Sequence, residues 1–212
     1  MSTWIKDKQG RWIFLLIVFY TIGVLGISFS PWKSLFLNLS SFNLLLTFAI
    51  LLITRKKQTL NFYLFILLAF IIGMGSEWLG VHFGWLFGNY TYQNTLGIKL
   101  FEVPLIIGVN WGLLAITSAE IAQFLFRNTY LKISIAALLM TVFDYFLEPV
   151  AIESHFWQWK GDTIPLFNYI CWLMVSLVLQ WIYFNLKNEE NNASHRQIYF
   201  IMLMFFLILI AI

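Results

Sequence analysis

The sequence predicts an all-α, polytopic membrane helix bundle of about seven transmembrane helices, with its amino terminus in the cytoplasm. Three observations predict it. Apolar residues fill 60% of the 212 positions and charged residues only 11%, against about 25% charged in an ordinary soluble domain. Such a chain cannot cover a water-facing surface, so its solvent must largely be lipid. Apolar runs near the ~20 residues of a membrane span recur along the chain, and the basic residues crowd onto alternate connections.

The runs are Trp12–Phe29, Leu35–Ile53, Leu60–Leu79, Val103–Phe126, Leu131–Glu148, Ile164–Leu186 and Ile198–Ile212. The first follows Lys6, Lys8 and Arg11, as a signal peptide would. The Ser28-Phe29-Ser30-Pro31-Trp32 that follows offers no small-residue cleavage site, so the run is read as a membrane anchor. The last run is short and must tilt little or sit in thinned bilayer. Residues 1–212 read as a single integral membrane domain.

Lys6, Lys8, Arg11, Arg55, Lys56, Lys57, Arg127, Lys132, Lys187 and Arg196 fall on the amino-terminal side of these spans; only Lys33, Lys99 and Lys160 fall opposite. The positive-inside rule then places the amino terminus in the cytoplasm and, after seven spans, the carboxyl terminus outside. The acids distribute the other way. Glu77, Glu102, Asp144, Glu148, Glu153 and Asp162 lie at outer helix ends or in outer loops, whereas Asp7, Glu189 and Glu190 are cytoplasmic and Glu120 lies within the fourth span. The two long connections, Gly80–Glu102 and Pro149–Thr163, are both outside and rich in aromatic residues and glycine. That asymmetry puts the chemistry at the outer end. Cys171 is the one cysteine, which excludes an intrachain disulfide and a cysteine-based metal site and reads as small core filler.

A faint echo links the two halves. An acid ends a helix (Glu77, Glu148), an aromatic loop follows, a proline opens the next span (Pro104, Pro165), and a tryptophan stands seven residues on (Trp111, Trp172). Proline suits a helix start because its missing N–H would be unpaired there anyway.

Asp144 and Glu148, four residues apart, share one helix face. Mutual repulsion, the negative helix end and removal from water all favour a protonated acid there, so the pair is either a proton donor or a cation site. Glu148 alone could simply mark the water boundary; Asp144 lies a full turn deeper, where carboxylates are expensive and usually functional. Glu77 follows Gly73-Met74-Gly75-Ser76, small residues that let helices pack closely and draw the acid into the bundle. Glu120 has Ser118 and Thr117 nearby as hydrogen-bond partners and carries no assigned role. Two aromatic clusters, Gly84 to Tyr92 and Phe156-Trp157-Gln158-Trp159, flank the acids. They read either as an interfacial belt or as faces that stabilise a cation. His82 and His155 could join the acids on a metal, but no tight spacing such as His-x-x-x-His is present, so neither a metal nor a cofactor is expected. Nothing in the chain reads as a phosphate loop, dinucleotide fingerprint, nucleophile elbow or nucleic-acid surface.

The string Glu77-Trp78-Leu79-Gly80-Val81, Gly84, Phe87-Gly88-Asn89-Tyr90, Tyr92, Leu96-Gly97-Ile98-Lys99-Leu100, Val103-Pro104-Leu105 and Trp111 continues with Asp144, Glu148-Pro149-Val150-Ala151, Phe156-Trp157-Gln158-Trp159, Pro165, Asn168 and Trp172. Over residues 73–172 it resembles the carotenoid biosynthesis membrane proteins that include bisanhydrobacterioruberin hydratase and the cofactor-independent carotenoid 1-hydroxylating hydratases. It departs from them at Glu148, where the family's usual pair is Asp-Pro and the carboxylate here stands one methylene farther out. The resemblance implies a lycopene-like or C50 acyclic polyene substrate, taken from the bilayer of a cell membrane, and addition of water across its terminal isopropylidene double bond. It implies Asp144 as the acid, with Glu148 or Glu77 positioning water. Tyr90, Tyr92, Trp111, Trp157, Trp159, Asn168 and Trp172 would shape the end-group pocket. End-group cyclisation starts from the same cation, and a non-catalytic carotenoid-binding subunit, associated with other carotenoid enzymes, would use the same aromatics; both stay open at this point.

Overall fold

A computed structural model describes residues 8–161 and 163–212; Lys6, Asp7 and Asp162 of the charge reading lie outside them. The described chain is an all-α bundle: α1 Lys8–Phe29, α2 Lys33–Asn38, α3 Ser40–Thr54, α4 Leu60–Phe83, α5 Leu105–Leu125, α6 Thr129–Glu153, α7 Leu166–Asn185 and α8 Ala193–Ala211. Six of them, all but α2 and α3, are long and apolar enough to cross a membrane. Helix is the economical choice in lipid because it satisfies every backbone polar group within one segment.

Among the boundaries that differ from the sequence expectation, three bear on the bundle's architecture. The second run does not form one helix. It breaks at Leu39 into α2 and α3. There the Leu39 N–H closes the last turn of α2 on Leu35 O and Phe36 O at 3.1 and 3.2 Å, and Ser41 donates away from its own helix, to Leu96 O at 2.9 Å. The 15 residues of α3 rise only about 22 Å. Helix α6 runs through Pro149 to Glu153 rather than stopping at Glu148. Proline there removes one N–H, and the last turn still closes through Ser154 N–H to Val150 O at 2.8 Å and Phe156 N–H to Ala151 O at 2.9 Å. Helix α8 starts at Ala193, not Ile198, because Asn192 caps it by accepting the Ser194 N–H at 3.0 Å. The resulting 19 residues span about 28 Å, so no thinning of the bilayer is required.

Helix α5 is buried on nearly every side, and α3, α4, α6, α7 and α8 pack around it. The bundle end assigned to the cytoplasm is tied by polar contacts. Arg55, buried, donates to Asn188 O and Lys57 O at 2.9 Å and lies 3.7 Å over the Phe62 ring. Glu120 accepts the Asn192 N–H at 2.6 Å and the Tyr183 hydroxyl at 3.1 Å. These partners, not Ser118 or Thr117, satisfy the acid; Thr117 donates to Leu113 O instead. Glu120 thus holds the α7–α8 connection onto α5, a structural task at the end remote from the long loops. Cys171 is buried and unpaired.

At the opposite end the two long connections meet. Strand β1 (Tyr90–Tyr92) pairs antiparallel with β4 (Trp157–Trp159), in the register Tyr90 to Trp159 and Tyr92 to Trp157. A short 3₁₀ turn (Asn94–Leu96) and the two-residue strands β2 (Lys99–Leu100) and β3 (Val103–Pro104) lead back into α5. Pro104 and Pro165 stand immediately before α5 and α7, where the sequence places helix starts.

A carboxylate and aromatic site under a two-stranded lid

The pairing of β1 with β4 fixes what the four aromatic residues do. Side chains alternate across a strand, so Thr91 and Gln158 face out while Tyr90, Tyr92, Trp157 and Trp159 turn their rings inward, two from each loop. Each loop serves the acid of its own helix hairpin. Glu77 on α4 accepts the Tyr90 hydroxyl in a short hydrogen bond, the Tyr92 hydroxyl at 2.8 Å and the Trp111 indole N–H at 3.0 Å. Glu148 on α6 accepts the Trp157 and Trp159 indole N–H groups at 3.0 and 2.9 Å. Asn168 on α7 donates to Asp144 at 2.9 Å and to Glu148 at 3.4 Å, so the two acids of one helix face share a single amide. Asp144 has no other side-chain hydrogen bond among the described residues.

The three acids are almost wholly buried, Glu77 at 4%, Asp144 at 1% and Glu148 at 2% exposure. They surround one small cavity of about 30 Å³, enough to hold water. Tyr90, Tyr92, Trp157, Trp159, Asn168 and Trp172 complete its wall. Trp111 stands just behind, stacked on Trp172 with ring centroids 3.9 Å apart and planes at 14°. The faint sequence echo therefore has a physical counterpart: its two acids border one cavity, its two aromatic loops pair as strands and its two tryptophans stack on each other. Burial, and then the neighbouring Glu77 carboxylate, hold the Tyr90 and Tyr92 phenols well above the ordinary phenol range, so both remain neutral donors.

Two glycines make the close packing feasible. A Cβ on Gly73 would lie 2.6 Å from the Trp111 ring, and one on Gly88, whose φ is +124°, would lie 3.0 Å from Pro165 and 3.3 Å from Trp159. Between the glycines of the first loop, Phe87 is itself held at φ +63° and buried against Trp111 and Trp172.

Phe87, Ile107, Asn110 and Leu147 also line the cavity, and the sequence reading assigned none of them a place in the site. Asn110 was the findable one, a polar side chain in mid-run one residue before Trp111, of the kind that is rarely idle inside a membrane. His82 and His155 stand elsewhere. His82 lies at the rim with Nε2 3.6 Å from Glu102, and the main chain of His155 accepts from Thr95. Among the described residues no group of three histidine, cysteine or acidic side chains is placed to hold a metal ion.

The fold and this site together define a polytopic membrane protein with buried carboxylates in an aromatic cage at one end of its helices. Residues 38–212 match the family described as carotenoid biosynthesis protein, and the chain belongs to that family. Neither the curated proteins nor the solved structures contain a match.

Proposed function

We propose that the protein is a carotenoid hydratase of the cell membrane, adding water to the terminal isopropylidene double bond of an acyclic carotenoid. The observation that carries this reading is the unequal treatment of three acids around one water-sized cavity. Glu77 and Glu148 each receive donors that lie within hydrogen-bonding distance, and an indole N–H can only donate, so these partners favour the ionised carboxylate. Asp144 receives one amide and keeps an oxygen free for a proton. A buried acid of that kind is suited to protonate an alkene.

In the proposed sequence, Asp144 gives its proton to the double-bond carbon bearing one hydrogen, and the π electrons form the new C–H bond. The tertiary cation left on the dimethyl carbon is stabilised by the faces of Trp172, Trp157 and Trp159. A water molecule held by Glu148 or Glu77 donates its oxygen lone pair to that carbon. Its surplus proton passes to the carboxylates and restores Asp144, leaving a tertiary alcohol. The overall change is redox-neutral: one water supplies the H and OH added across the double bond, and the carboxylates relay the proton and end as they began.

The test is incubation of the purified chain with lycopene. Product heavier by one water, absent with Asp144→Asn while that variant still retains carotenoid, is the expected result. Unchanged mass with an altered absorption spectrum would mean cyclisation, and retention without any conversion by the wild-type chain would mean a binding subunit; either would overturn the proposal.

A further inference from the structure

The carboxylate cavity holds a water but not a long polyene, so the rest of such a substrate needs another place. A second cavity, about 100 Å³, shares Ile107, Asn110, Leu147 and Trp157 with the first. Its walls are otherwise mostly apolar and come from α1, α3, α5, α6 and α8, among them Leu44, Ile106, Val150 and Met202. This second cavity in turn shares Tyr20 and Phe205 with a third, about 340 Å³, formed by α1 and α8 alone. The third is bounded by residues on the lipid-facing side of the bundle, including Leu25 at 54%, Phe200 at 52% and Met204 at 51% exposure. The three spaces lie in series from the lipid-facing side to the acids, each sharing wall side chains with the next.

Ser40, Ser41, Asn43 and Ser154 also line the second cavity, but Asn110 is the amide it shares with the acid cavity. Asn110 is 8% exposed and its side chain makes no hydrogen bond among the described residues. It lines both the polar cavity and the apolar one, where an unpaired amide is costly unless something polar reaches it. At the far joint Tyr20 and Phe205 meet edge to face, centroids 5.2 Å apart, and the Tyr20 hydroxyl is anchored to Thr47 at 3.1 Å. An aromatic pair of this kind is a surface on which a flat hydrocarbon chain can lie.

We infer that this path is the binding channel for the hydrocarbon chain of the substrate, admitted sideways from the bilayer between α1 and α8. Its occupant is a long, uncharged polyene. The chain lies past Tyr20 and Phe205, and its end group stops at Asn110, where the acid cavity begins. The inference rests on the reading of the acid cavity as the reaction site.

Val24→Trp and Ile201→Trp narrow the lipid-side end of the path, away from the acids. The purified full chain would be tested with lycopene and with a short isoprenoid alcohol that carries the same terminal isopropylidene group. Retained polyene is read by visible absorbance and turnover by product mass. In both variants retention of lycopene and its turnover relative to the short alcohol should fall about tenfold, equivalent to ~1.4 kcal/mol. Unchanged retention and an unchanged ratio would overturn the channel while leaving the hydratase reading intact. Parallel loss of both substrates would also overturn it, because a purely structural defect does not alter the ratio. Co-purification of a phospholipid acyl chain that lycopene fails to displace would assign the groove to lipid and defeat the inference. A wild-type chain that neither binds nor converts lycopene would fail the functional reading first and the channel with it.

Discussion

Replacing Gly73 by alanine would reach the Glu77 carboxylate through one intervening ring. The added methyl would stand 2.6 Å from two atoms of the Trp111 indole and 2.8 Å from its Cβ. Carbon atoms settle at about 3.5–4.0 Å, so the ring must retreat by roughly 1 Å. It has little room, being fully buried and stacked on Trp172 at 3.9 Å. Overpacking of this kind costs about 1–3 kcal/mol. A retreat that size also carries the 3.0 Å bond from the indole N–H to Glu77 beyond bonding range, and a hydrogen bond to a charged group is worth about 1.5–3 kcal/mol. The expected result is a lower melting temperature in detergent and a turnover reduced at least tenfold, about 1.4 kcal/mol on the barrier. Gly75 supplies the control on the same helix, because a Cβ there meets nothing within 4 Å; Gly75→Ala should leave both measurements near wild type. Adding Trp111→Phe to Gly73→Ala separates the two effects, since the shorter ring leaves the clashing Cβ, Cγ and Cδ1 room to retreat without restoring the N–H. Stability should partly return and turnover should not. If Gly73→Ala behaves like Gly75→Ala, the contact between Trp111 and Glu77 does not govern the acid and the reasoning fails.

Other consequences follow from the same geometry. Tyr90→Phe and Tyr92→Phe should each lower turnover by about tenfold or more, because each removes a donor to Glu77. Both phenols are held above their ordinary value. The stability they contribute should therefore be intact below about pH 10, where an unfolded phenol titrates, and be lost as pH rises from there through the higher folded value; thermal unfolding of wild type and the double variant across that range checks the sign. Glu120→Ala strips the acceptor from the buried Asn192 N–H, so it should cost roughly 1–3 kcal/mol in unfolding free energy while turnover per folded molecule is kept. Cysteine labelling should reach a cysteine at Asn94 from outside intact cells and one at Lys56 only after permeabilisation; the reverse pattern would invert the orientation drawn from the basic residues.

The helical class was legible because lipid demands it: apolar runs and the one-sided basic residues are enough to mark spans. Boundaries were less so. The early start of α8 depends on Asn192 capping it locally, and beside the break at Leu39 Ser41 bonds the distant Leu96 carbonyl, choices that hydropathy does not register. At the site, the acids and aromatics announced themselves as costly or conspicuous residues near the outer helix ends. Which acid receives which donor did not. Tyr90 and Trp159 lie far apart in the chain, and only the pairing of β1 with β4 turns one pair of rings onto Glu77 and the other onto Glu148. The apolar path was invisible for a related reason. Its walls come from five helices, and each wall residue, Leu44 or Val150 or Phe205, looks in sequence like any other residue facing lipid.

The central claim is that a chain-borne acid opens the double bond and water closes it. The most direct measurement is the source of the new oxygen, read by mass spectrometry after reaction of lycopene with the purified chain in water enriched in heavy oxygen under ordinary air. The account predicts the heavy label in the tertiary hydroxyl of the product made by the wild-type chain and no hydroxylated product from Asp144→Asn. Hydroxyl oxygen drawn from the air, or labelled alcohol still formed at the wild-type rate by Asp144→Asn, would contradict it.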